Sequence, residues 1–117
     1  MAPKKRRPSD TRPKPTIPVD VADRHDEYVV TADLPGVRKQ DIDLRVRKSR
    51  VQIVVDPDGV EGEPGSFVRR AREHGPISRT IRLPERVNEK RIDAEYLNGQ
   101  LRVTLPKYER HRSVEVK

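Results

Sequence analysis

Apolar residues recur along this chain at every second position. Tyr28, Val30, Ala32 and Leu34 do so and stop at Pro35-Gly36, a pair suited to a type II turn. A period of two over that length predicts a strand with one buried face. Two further runs alternate in the same way: Ile42, Leu44, Val46 and Val51, Ile53, Val55. A turn at Lys48-Ser49 would set 46 opposite 51, 44 opposite 53 and 42 opposite 55, which places all six apolar side chains on one face of a hairpin. The same arithmetic works around Asn98-Gly99, the dipeptide most suited to a type I′ hairpin turn. There Tyr96 faces Leu101, Ala94 faces Val103 and Ile92 faces Leu105.

Between the hairpins the texture changes. Asp56 to Gly65 holds four acids and three glycines and predicts an exposed loop. Ser66 to Gly75 is expected to be a strand belonging partly to that loop. Ile77, Ile81 and Leu83 alternate around Arg79 and predict a core strand ending at Pro84. No run of ten or more residues carries a 3.6-residue period, and Glu85 to Arg91 has room for one helical turn. The expected fold class is therefore all-β: several short strands at close spacing, closing as a two-sheet antiparallel β-sandwich.

Composition limits how much this sandwich can bury. The chain has 117 residues, 38% charged and 32% apolar, enough for one domain with a small core. It contains no cysteine, so packing and strand pairing must hold it together without disulfides. No apolar run is long enough to cross a membrane, and the basic start has no apolar stretch behind it, so the expectation is a cytoplasmic protein with no membrane contact.

The net charge of +7 sits in the tails. Residues 1–18 carry +5, residues 106–117 carry +2, and residues 19–105 balance at sixteen of each sign. Residues 1–18 also contain five prolines and, besides Met1, a single large apolar residue, Ile17. That predicts a disordered, basic, proline-rich arm. The expected organisation is arm 1–18, sandwich domain 19–107 and C-terminal extension 108–117.

Groups for catalysis are not in evidence in the pattern. No glycine-rich phosphate loop of either common kind is present. The histidines, His25, His74 and His111, are far apart in sequence and lack companions at metal-ligand spacing, which predicts solvated imidazoles. The acids fall opposite the apolar faces or in the loop. No enzyme activity, cofactor or metal is expected.

In order along the chain, EYVVTADLPGV (Glu27 to Val37), FVRRAREHG (Phe67 to Gly75), SRTIRLP (Ser78 to Pro84) and AEYLNGQLRVTLPK (Ala94 to Lys107) resemble the segments of the small heat shock protein family. The likeness spans about Val19 to Lys107. Its last segment is close to the family's A-x-x-x-N-G-x-L signature, and Val114-Glu115-Val116 looks like the family's I/V-x-I/V tail motif. The resemblance implies an immunoglobulin-like α-crystallin domain that dimerises by strand exchange and assembles into a higher oligomer. By that likeness Phe67 to Glu73, with Phe67, Val68, Arg69 and Arg70, is the exchanged strand. Val19 to Val21 is the receiving edge, and Arg79 corresponds to the family's dimer-interface arginine. An uncovered edge is a template for pairing with a neighbour. A solvated basic strand remains the plain alternative for Arg69, Arg70 and Arg72.

Val114 and Val116 project to one side of an extended chain and can enter two pockets while their backbone adds to a sheet edge. The resemblance places the receiving groove between the strands at 42–47 and 92–97 of another subunit. Leu44, Val46, Ile92 and Ala94 are its expected apolar lining. The implied function is ATP-independent holding of non-native client polypeptides. The amino terminus departs from the family's longer, apolar arm. A different reading is therefore a dimeric interaction module whose arm, through Lys4, Lys5, Arg6 and Arg7, binds nucleic acid or another polyanion weakly and without sequence preference, or is read by an import receptor.

Overall fold

The structure, a computed structural model, describes residues 15–57, 65–108 and 116–117. Its elements in chain order are β1 (Val19–Asp23), β2 (Glu27–Asp33), β3 (Ile42–Arg47), β4 (Arg50–Val55), helix α1 (Phe67–His74), β5 (Ile77–Arg82), β6 (Asp93–Leu97) and β7 (Gln100–Pro106). Single 3-10 turns at Lys39–Asp41 and Glu89–Arg91 lead into β3 and β6. One sheet has the order β1-β2-β7-β6 and the other β3-β4-β5. All five pairings are antiparallel.

Turn chemistry fixes the registers. Gly36 supplies the positive φ (79°) that the third position of a type II turn requires, and the Val37 amide donates to the Leu34 carbonyl at 3.3 Å. A side chain at Gly36 would also meet Val68 Cγ2 at 3.0 Å, so the position is closed to one on two counts. Asn98 and Gly99 both take positive φ, as a type I′ turn demands. The β3–β4 ladder pairs Ile42 with Val55, Leu44 with Ile53 and Val46 with Val51, as the alternation predicts. The β6–β7 ladder pairs Tyr96 with Leu101 and Ala94 with Val103. It begins at Asp93 with Thr104, so Ile92 lies just before the strand and is not paired with Leu105.

The core is the layer between the sheets. Tyr28, Val30, Ala32 and Leu34 from one side and Val51, Ile53 and Val55 from the other are buried, closed over by Ile77, Leu83, Val87, Val103 and Leu105. Each large side chain so buried stabilises the fold by about 1.5–3 kcal/mol before entropy is counted. Tyr28 is buried to its hydroxyl, which has no hydrogen-bond partner among the described residues, and the Lys107 ammonium sits 4.8 Å from its ring centre.

Two further expectations are corrected. Phe67 to Glu73 is helical. The Ser66 hydroxyl accepts the Arg69 amide at 3.2 Å as an N-cap, Gly75 (φ 87°) ends the helix, and Pro76 follows. Phe67, Val68 and Ala71 fall on one helical stripe against the core, with Ala71 fully buried. The eight residues are too few to pass a ten-residue test for helical period, and their β-compatible apolar pair sits only at the start. The second correction is the domain boundary. Pro15 and Ile17 are buried, so packing begins before Val19 and the segment 15–18 belongs to the sandwich, not to the arm.

Candidate functional site

β3 and β6 are each the free edge of their sheet, and the two edges flank a groove. Ile42 and Leu44 from β3, Ala94 and Tyr96 from β6 and Leu101 of β7 line it, with Lys39 at one end, around a volume of about 150 Å³. The alternation that buries β4 fully leaves the apolar residues of β3 half-exposed, because an edge strand has a neighbour on one side only. Leu101 is buried beneath the groove. Tyr96 is held in place by its hydroxyl, which donates to the Leu34 carbonyl at 2.6 Å. Partial burial raises the pKa of that phenol above its usual value.

Such a surface has the chemistry to receive extended chain. Two apolar side chains at i and i+2 point the same way from an extended backbone and can enter the groove, while their peptide groups find unpaired N–H and C=O groups on either edge. A larger open depression of about 770 Å³ surrounds the Asn98–Gly99 turn. Its walls combine Asp33, Gln100 and Arg102 with Pro35 and the exposed Leu97, and it does not lie between two strand edges.

Of the expected lining residues, Leu44 and Ala94 are in the groove. Val46 and Ile92 are half-buried and pack against the core instead. Ile42, Tyr96 and Leu101 complete the apolar lining, and Glu95 joins Lys39 as its second charged residue. Ile42 shares the alternating face of Leu44, and Tyr96 follows Ala94 by two, so the same period that identified their neighbours contains them. Val116 is 90% exposed, and Val114 lies outside the described residues. Lys4, Lys5, Arg6 and Arg7 also lie outside them.

The residues expected at a dimer interface are dispersed over three elements. Val19 and Val21 are on β1, an edge strand, with Val21 exposed. Phe67 and Val68 pack α1 on its own domain. Arg69 pairs with Glu73 one turn on, at 3.6 Å, and Arg70 is its neighbour on α1. Arg79 donates from Nη1 to the Ile17 carbonyl at 2.7 Å, an intramolecular bond. Near the far end of β1, Lys107 binds Asp23 at 2.9 Å and lies 3.6 Å from Glu85. Its hydrogen bond holds the Asp23 carboxyl below the usual range and raises the Lys107 ammonium above its own. Among the described residues no group of three or more His, Asp or Glu is placed to hold a metal ion, and no helix is long and apolar enough to cross a membrane.

The family model described as Hsp20/alpha crystallin matches residues 20–117. The chain belongs to the Hsp20/alpha crystallin family. Among its relatives, it is similar to an 18 kDa heat shock protein of Clostridium acetobutylicum, 37% identical over 76% of this chain and 60% of that one. It is also similar to heat shock protein 16 of Schizosaccharomyces pombe, 35% identical over 81% of this chain and 68% of that one. The solved structure of heat shock protein 16.0 from the same yeast superposes with a TM-score of 0.62, at 30% identity over 87% of this chain and 98% of the other. The chain thus spans about 60% of the length of the clostridial relative. Family membership accounts for the two antiparallel sheets.

Proposed function

We propose that the chain is an ATP-independent holding chaperone that captures unfolding polypeptides on the β3/β6 groove before they aggregate. The groove is the observation that carries this reading: a half-exposed apolar trough between two unpaired strand edges takes extended apolar segments of any sequence that offers an i, i+2 pair. An unfolding chain exposes many such segments, and a native one few. The reading needs no bound nucleotide, and the cytoplasm is the compartment proposed with it.

Assembly enters through the same surface. Val114 and Val116 form an i, i+2 pair of their own, on a tail whose last valine is exposed, and they fit the groove of another copy. Such docking builds oligomers and covers the groove until a client competes. A free β1 edge with Val19 and Val21 offers a place for a second copy to add a strand. Exchange of Phe67 to Glu73 onto that edge requires α1 to unwind, which releases Phe67, Val68, Arg69 and Arg70 from their own domain. Arg79 serves that interface only when its bond to the Ile17 carbonyl opens as well.

The test is light scattering of a heat-labile client, with no nucleotide present, at a temperature below the unfolding of this protein. A several-fold excess of the chain is expected to suppress the rise in scattering. The same rise with and without it would end the chaperone reading.

A further inference from the structure

Residues 19–105 balance in charge, but the structure segregates the signs. In the three-stranded sheet Arg47 of β3 stands opposite Arg50 of β4, and Arg50 stands opposite Arg82 of β5. The alternation that turns Val46, Val51 and Ile81 inward turns all three arginines outward, and all three are exposed. Neighbouring strands lie about 4.8 Å apart, so the row spans about 10 Å. Among the described residues none of the three makes an ion pair or side-chain hydrogen bond. Like charges directly opposite one another on a sheet are destabilising, and the paired strands place no carboxylate in this row.

The adjoining rows extend the pattern. Arg45, Gln52 and Thr80 make the second row and Asp43, Val54 and Ser78 the third. Asp43 is taken up by Arg45 at 2.8 Å and leaves the first row uncompensated. Lys48, in the turn between Arg47 and Arg50, adds a further cation at the same end of the sheet. The Glu89 carboxylate nearby accepts the Lys48 backbone amide at 2.6 Å and contacts none of the three guanidiniums.

We propose that the Arg47–Arg50–Arg82 row is a binding site for the phosphate backbone of single-stranded nucleic acid. Guanidinium forks match phosphate oxygens, and they are weakly hydrated compared with ammonium. Gln52, Thr80 and Ser78 supply neutral donors to sugar and phosphate beside the row. The outer face carries no aromatic residue in these three rows, so bases have nothing to stack on and binding is independent of sequence. This site is distinct from the β3/β6 groove, and its existence does not depend on chaperone activity.

The experiment is fluorescence anisotropy of a labelled 20-nucleotide oligothymidylate with the full chain across a salt series. Changing Arg47, Arg50 and Arg82 together to Gln is expected to weaken binding roughly tenfold or more at low salt and to flatten the slope of log affinity against log salt by about 2, as loss of three single-strand phosphate contacts requires. The triple change to Lys keeps most of the slope, because charge sets it, and loses part of the affinity, because an ammonium lacks the fork. Changing Lys4, Lys5, Arg6 and Arg7 to Gln leaves the row's share of the slope in place. Competition by inorganic polyphosphate but not by polyglutamate of equal charge separates phosphate recognition from recognition of acidic peptide. The Gln variant relieves repulsion, so its thermal midpoint should equal or exceed that of the parent. R50Q alone, at the centre of the row, should already remove part of the slope. Unchanged affinity and slope in the triple Gln variant, complete loss of binding in the arm variant alone, or displacement by polyglutamate would each overturn the proposal.

Discussion

Arg79 Nη1 donates a hydrogen bond of 2.7 Å to the carbonyl oxygen of Ile17, which precedes it by 62 residues. β5 and β1 are the outer strands of the two sheets on the side away from the β3/β6 groove. The bond fastens the segment before β1, and the fully buried Ile17 within it, across that side of the sandwich. One lateral opening is closed by this latch, and the other is left as the groove.

Removing the latch should cost stability in a coupled way. Arg79→Ala is expected to lower unfolding free energy by about 1.5 kcal/mol, the low end for a hydrogen bond to a charged group. Ile17→Ala should cost about 2–5 kcal/mol as a large-to-small core change. Because both act on one segment, the double variant should fall short of the sum by at least about 0.5 kcal/mol in denaturant titrations. Strict additivity would mean that the bond does not position Ile17.

Helix α1 depends on its cap. Ser66→Ala removes the acceptor for the Arg69 amide and should destabilise the helix by about 1 kcal/mol. If strand exchange requires α1 to unwind, this variant shifts the monomer–dimer balance toward dimer, read by light scattering as a function of concentration. A balance moved toward monomer, or not moved, would separate exchange from helix unwinding.

The groove's tyrosine gives the protein an alkaline limit. Its raised pKa means that the folded chain holds the phenolic proton more tightly than the unfolded chain, so this stability is full below the usual value of 10.0 and falls as pH climbs through the raised one. Lys107, raised by its bond to Asp23, acts in the same sense above 10.5. Asp23 acts at the other end: its lowered pKa contributes stability above 3.8 that is lost as pH falls through the depressed value. Tyr96→Phe should cost about 1 kcal/mol at neutral pH through the lost bond to Leu34 and should make the decline above pH 10 shallower. An alkaline limb identical to the parent's would contradict that assignment.

Tail docking predicts a change of mass. Val114→Ala with Val116→Ala removes two methyl groups at each position, about 1–2 kcal/mol per pocket on transfer terms, multiplied over every docked tail in an assembly. Light scattering after size exclusion should show the larger assembly reduced to a dimer. An unaltered mass would mean that the tail plays no part in assembly.

How much could be read beforehand follows from which interactions are local. The Lys48-Ser49 and Asn98-Gly99 hairpins were legible because a two-residue turn fixes register, and the alternating apolar set then checks it. The groove was half legible. Leu44 and Ala94 are placed by strand period, but the closure of the trough by Tyr96 depends on a hydrogen bond to Leu34, 62 residues away. Helix α1 does not show in the apolar pattern although Ser66, Gly75 and Pro76 are its cap and stop, because eight residues give barely two turns of period. The prolines around Ile17 give it the pattern of the arm. Its carbonyl is tied to Arg79, 62 residues on, and no local pattern contains that contact. The arginine row was hidden by net charge, since a sum over residues 19–105 does not record which strands face one another.

Capture of clients on the β3/β6 groove is tested most directly by filling the groove without disturbing the core. Ala94 is exposed and lines the trough, so Ala94→Arg adds bulk and charge there while the buried layer stays intact. Client light scattering should be measured with the parent and with this variant at equal concentration and with no nucleotide, after circular dichroism has shown the same fold and thermal midpoint. The account predicts strong suppression of aggregation by the parent and little by Ala94→Arg. Equal protection by the two folded proteins would contradict it and would place client binding elsewhere on the chain.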